Sequence, residues 1–190
     1  KDSLKTMMKD KEFMKWRVYA TALVLVLELV HLAWEYFNGG VPSHHLLNNP
    51  DLPAISNWWG ALLLPVITWF LSGGIQKRLA LQSASKGYSV IPSTIAGFIG
   101  ALLFGVLLSS SFSLGYETLS SYLFFSMLLA ALIFPVYRGE YILGFILGMT
   151  FTFGAVLPTM ISFIIAFLSM VLHLYIYPFF KHFRTVFGGK

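Results

Sequence analysis

Glu28, His31 and Glu35 follow one another at spacings of three and four residues inside an otherwise apolar segment. At 3.6 residues per turn, those spacings put the three side chains on one stripe of a helix. An imidazole between two carboxylates can pass a proton, act as acid or base, or hold a cation. Just downstream, His44-His45 and Asp51 lie in a segment punctuated by Pro42, Pro50 and Pro53. Imidazole nitrogens and carboxylate oxygens in this number suit a transition metal such as zinc, iron, copper or manganese. The expected ligand set is His31, Glu35, His44, His45 and Asp51, with Glu28 as the catalytic base or as the group that orients a ligand. Neighbouring residues of an extended segment point to opposite sides, so one of His44 and His45 is expected to reach the site. The pattern His-Glu-x-x-His is absent, and the spacing matches no particular metal motif.

Ionisable groups are costly inside hydrocarbon, so the elements that carry these residues decide their meaning. Of the 190 residues, 57% are hydrophobic, 17% aromatic and 11% charged, with a mean hydropathy of +0.74; a soluble domain carries about a quarter charged residues. The apolar residues gather into six blocks, at 18–37, 58–75, 90–108, 119–137, 141–157 and 159–180. Each is long enough to cross a hydrocarbon core of roughly 30 Å as a helix. The reading is an all-α, polytopic integral membrane protein. A six-helix transmembrane domain, 18–180, follows a basic interfacial segment, 1–17, and precedes a basic tail, 181–190. No stretch is left for a soluble catalytic or nucleic-acid-binding domain, so the net charge of +5 is read as topology and not as affinity for nucleic acid. Cysteine is absent, which excludes zinc-finger, iron–sulfur and disulfide chemistry.

The Lys and Arg residues fall before the first block, after the second, after the fourth and after the sixth. Segments 38–57 and 109–118 and the surroundings of Pro158 contain none. Under the positive-inside rule, both termini are cytoplasmic and segment 38–57 faces outward, as in a bacterial inner membrane or its equivalent. Breakers mark the divisions. Asn38-Gly39-Gly40 with Pro42 is expected to end the first helix, Gly73-Gly74 the second, and Leu157-Pro158 to separate the fifth from the sixth.

The other polar residues receive structural expectations. His173 lies about 21 Å below the outer face by helical rise, which argues against a haem shared with His31 and for a bond to a neighbouring carbonyl. Tyr116 and Glu117 are expected in a solvated loop, and Trp34, Trp58 and Trp59 in interfacial aromatic belts. Gly144-x-x-x-Gly148, and Gly97 with Gly100, allow close helix contact within one chain or between copies. Arg138, at a short turn, is read as a topology-setting charge, with a pair to Glu140 or a lipid-phosphate contact as the other readings.

The six-helix size, inward termini and capping first outer loop resemble the substrate-binding subunits of energy-coupling-factor vitamin transporters, in architecture and without a shared motif. That resemblance implies a capped solute site. The residues themselves lead first to a metal-assisted membrane enzyme, a hydrolase or oxidoreductase acting on a lipid-like or small hydrophobic ligand from the outer leaflet. Solute or cation transport, with Glu28 and His31 carrying protons under a lid at 38–57, is the alternative. A third is an assembly subunit of a membrane complex or a homo-oligomer.

Overall fold

The computed structural model describes residues 2–45, 51, 53–86 and 89–180, with main chain alone at 2–10 and 83–86. The described residues are almost wholly helical: α1 (Asp2–Phe37), α2 (Gly60–Lys86), α3 (Ile91–Ser113), α4 (Glu117–Ile133), α5 (Gly139–Phe153) and α6 (Val156–Val171). The last runs on through a π-helical turn, Leu172–Ile176. Four helical stretches are long and apolar enough to cross a membrane: Lys11–Phe37, Asn57–Gln82, Ile91–Ser113 and Val156–Phe180. The chain is therefore read as a multi-pass membrane protein. α4 and α5 are apolar but shorter, at 17 and 15 residues, or about 26 and 23 Å by helical rise.

α1 begins well before residue 18 because no breaker interrupts residues 2–37, and the basic segment simply continues the helix. It ends where Gly39 and Gly40 take φ of 124° and 98°, conformations that side chains with a Cβ rarely adopt. A short antiparallel hairpin follows, β1 (Ser43–His45) with β2 (Ala54–Ser56), in which His44 pairs with Ile55. A single 3₁₀ turn, Asn57–Trp59, then leads into α2.

Two breakers act differently from expectation. Gly73-Gly74 leaves α2 intact, since a broken backbone at that depth would strand peptide groups without partners. A Cβ at Gly73 would lie 2.8 Å from Arg17 Nη2, so this glycine makes room for a guanidinium. The α5–α6 corner falls at Gly154, φ 66°, while Pro158 sits in the first turn of α6, where a missing N–H leaves no helical bond unmade.

α5 is buried almost all round, with Glu140, Ile142, Leu143, Phe145, Ile146, Met149 and Thr150 inside, as suits a helix apolar on every face. It packs on α2, α3 and α6. Gly144 and Gly148 press on the α3 backbone so closely that a Cβ at either would collide with the carbonyl of Phe98 or Leu102. The small-residue stripe thus joins α5 to α3 within one chain. Gly97 faces α5, whereas a Cβ at Gly100 would meet nothing within 4 Å. Glu140 pairs with Arg78 and not with Arg138: the Arg78 Nη1 to Glu140 Oε1 distance is 2.7 Å, and Thr94 Oγ1 accepts from Arg78 Nη2 at 3.0 Å. The α2–α5 packing brings Arg78 over the first turn of α5, a tertiary approach that local spacing does not encode.

Candidate functional site

α1 turns its apolar residues outward and its ionisable ones inward. Leu23, Val26, Leu27, Val30 and Trp34 are exposed, while Val24, Glu28, Leu32 and Glu35 are buried and His31 is nearly so. In lipid this distribution is the stable one, because the exposed face meets hydrocarbon. An acidic residue at a helix centre costs on the order of 2.5–3.5 kcal/mol to insert, so Glu28 and Glu35 need partners. His31 supplies both. Its Nδ1 lies 3.6 Å from Glu28 Oε2 and its Nε2 3.4 Å from Glu35 Oε1.

The remaining walls come from elements far apart in sequence. Asn57, from the 3₁₀ turn, donates through Nδ2 to Glu35 Oε1 at 2.7 Å. Gly60 lets the α2 backbone lie against Glu28: a Cβ there would collide with Glu28 Oε1. Phe151 of α5 stacks on His31 with ring centroids 4.9 Å apart. At the α5–α6 corner a Cβ on Gly154 would collide with Asn57 Oδ1 and lie 3.6 Å from His44 Cδ2. Glu35 Oε2 is buried and has no hydrogen-bond partner among the described residues.

The hairpin covers this end of the bundle. His44 is half-buried and His45 exposed, the alternation of a strand. Burial pushes the His44 imidazole below its ordinary pKa, and the charge of Glu35 opposes that shift. Between His44, Asn57, Phe153 and Ala155 lies a space of only about 10 Å³, about what one water needs. Asp51 stands exposed in the turn beyond β1. Asn48 and Asn49, which also belong to this loop, lie outside the described residues.

Glu28, His31, Glu35 and Asn57 thus form one polar chain, with His44 at its margin. The two carboxylates sit at opposite ring nitrogens, so His31 cannot share one ion with both. Among the described residues, no three His, Asp or Glu side chains converge as a ligand set for a metal ion. Asn57, Gly60, Phe151 and Gly154 are the residues that sequence spacing missed. Asn57 reads locally as a loop amide, and only the tertiary approach reveals the others.

His173 belongs elsewhere: its Nδ1 lies 2.9 Å from the Ser169 carbonyl oxygen and its ring packs with Tyr137 and Tyr177. Tyr116 and Glu117 are exposed at the start of α4. A larger cavity, about 260 Å³, opens among α3, α4, α5 and α6 beside Gly100, Phe104, Met127 and Ile165. None of its lining residues is on α1 or α2, so it is separate from the polar chain.

No protein-family model, curated protein sequence or solved structure matches the chain.

Proposed function

We propose that the chain is a proton-handling membrane transport protein in which Glu28, His31 and Glu35 take up and release the proton. The observation that carries this reading is the buried histidine with a different carboxylate at each ring nitrogen, 3.6 and 3.4 Å away. Protonated, His31 is a cation held between two anions; giving its proton to either side leaves a neutral carboxylic acid and a neutral ring. Such Glu–His chains inside a membrane are the usual material of proton relays. Among the described residues, the space beside the chain's outer member Asn57 is only about 10 Å³, under the hairpin between His44 and Phe153, room for one water.

In this reading the protein has six spans and both termini in the cytoplasm. The successive helices run in alternating directions, and Arg17, Lys77, Arg78 and Arg138 all fall at the end opposite the hairpin, in keeping with the positive-inside rule. The polar chain then opens to the extracytoplasmic face, with the hairpin as its lid.

A second reading, a metal-assisted enzyme, is favoured by one observation. Glu28 at Nδ1 with Glu35 beside Nε2 is how an outer carboxylate orients a ligating histidine, and Glu35 Oε2 has spare capacity. That reading would require His31, Glu35 and His44, with His45 and Asp51 as further donors of the hairpin, to close on one point, which they do not do in the described arrangement. The metal would supply an activated water, and Glu28 would hold the ring in its ligating tautomer.

One experiment separates the two. Proteoliposomes loaded with a pH-sensitive dye should show proton uptake that Glu28→Gln abolishes, from protein whose elemental analysis finds well under one metal ion per chain. About one ion per chain, reduced at least tenfold by His31→Ala, with no proton uptake, would establish the enzyme reading instead.

A further inference from the structure

The cavity of about 260 Å³ among α3, α4, α5 and α6 takes no part in the polar chain. It exists because α4 closes poorly on the helices behind it, burying only Ser120, Met127 and Ala131. Met127, Ala130 and Phe134 line the space from α4 and its C-cap, a stripe about 10 Å long by helical rise. Gly100 of α3 lines the same space, and a Cβ there would meet nothing within 4 Å. Small residues normally let two helices close up, as Gly105 does against α5. Gly100 and Ala130 leave room instead.

The deep wall, Met127, Ile142, Phe145, Ser162 and Ile165, is buried. Ser162 Oγ already donates to the Pro158 carbonyl at 2.6 Å, and no lining residue carries a charge. Water finds almost nothing to bond there, and an apolar void left empty forfeits the contacts of its lining. Gly100 and Phe134 are exposed, so in a bilayer the rim meets hydrocarbon. An apolar cavity of about 150 Å³ takes a benzene ring, so this one takes about ten carbons. Its length along α4 suits a chain better than a compact ring.

One end of the space is built by the α4–α5 connection. The Arg138 N–H donates to the Pro135 carbonyl at 3.1 Å, and the Arg138 carbonyl accepts from the N–H groups of Tyr141 and Ile142 at 3.0 and 3.4 Å. The compact turn so formed gives Phe134, Val136, Tyr141 and Ile142 to the lining and carries Arg138 in its middle. The neighbouring carboxylate, Glu140, is held by Arg78, and Arg138 makes no ion pair among the described residues. An unpaired guanidinium on the turn that ends an apolar slot is complementary to a phosphate with a hydrocarbon tail, since arginine meets phosphate oxygens through paired N–H groups.

We propose that this cavity seats one acyl chain of an anionic phospholipid whose phosphate pairs with Arg138, at the basic end of the bundle. The seat stands apart from the proton reading, because none of its residues belongs to the Glu28–His31–Glu35 chain.

The test uses the full chain in nanodiscs of equal parts phosphatidylglycerol and phosphatidylcholine, released into a mass spectrometer under native conditions. One phosphatidylglycerol should stay with each chain, preferred over phosphatidylcholine by about tenfold. Gly100→Leu fills the slot and should lower that retention about tenfold or more, with a melting temperature equal to or above that of the wild type. Ala130→Leu fills it from α4 and serves if the first variant fails to fold. Arg138→Gln should remove the preference between the two lipids. Equal retention of both lipids by the wild-type protein, retention that the filled variants leave unchanged, or a preference for phosphatidylglycerol that survives Arg138→Gln would each overturn the seat.

Discussion

The α3–α5 contact and the α1–α2 seam pack helices by opposite means. Between α3 and α5 the backbones nearly touch, through Gly105, Gly144 and Gly148. Hydroxyls there are satisfied: Ser109 Oγ donates to the carbonyls of Val106 and Gly148. Between α1 and α2, charged and hydroxylated side chains fill the interface. The buried atoms without a protein partner among the described residues belong to Arg17, Thr21, Glu35, Thr68, Gln76, Arg78 and Glu140, and six of those seven residues lie on α1 or α2. Orphaned polar groups cost about 1–3 kcal/mol each. A molecule that satisfies its polar groups in one half and strands them in the other has a scaffold half and a working half.

The sharpest way to break this comparison is to overfill the scaffold. Gly148→Leu would drive a side chain into the Leu102 carbonyl and the Gly105 backbone. It should cost more than about 3 kcal/mol and yield little folded protein in a detergent melt. Gly100→Ala, in the same pair of helices but facing open space, should be neutral or stabilising by a few tenths to about 1 kcal/mol.

In the working half, function should fall before stability does. Gly60→Ala places a methyl against Glu28 Oε1. The carboxylate can swing aside, so the melting temperature should drop modestly while proton uptake is lost. Asn57→Leu removes the donor to Glu35 and should cost about 1–3 kcal/mol, seen as an earlier thermal transition. If Asn57→Leu instead cost as much as Gly148→Leu, the division into two halves would be wrong.

The smallest effect concerns pH. His44 is held below its ordinary pKa by burial, so the folded state prefers the neutral ring. Its contribution to stability is complete above the unfolded pKa, near 6.5, and declines as the pH falls below it, because the unfolded chain binds the proton more readily. His44→Gln should therefore flatten the acid side of a melting-temperature profile between about pH 6.5 and 5. An unchanged profile would place the acid sensitivity in other groups.

What the sequence could reveal follows from whether the cause is local. The stripe Glu28–His31–Glu35 is a consequence of helical period alone, and the structure keeps all three on the inner face of α1. Residue-type arguments were less secure at breakers. Pro158 and Gly73-Gly74 look like helix ends, yet Pro158 occupies a first turn and Gly73 makes room for Arg17. Asn57, Gly60, Phe151 and Gly154 reach the site through α2 and the α5–α6 corner, and no spacing within one element encodes such meetings. The same holds for Glu140, whose partner is 62 positions away in sequence at Arg78 and not beside it at Arg138.

The central claim is that the Glu28–His31–Glu35 chain carries a proton, and infrared spectroscopy of the protein in bilayers tests it most directly. As the pH is cycled, a carboxyl stretching band should appear and vanish; it should be missing in Glu28→Gln and displaced in His31→Gln, where the imidazole between the carboxylates is gone. A band that persists unchanged in both variants, or wild-type protein with no titrating carboxyl band, would contradict the account.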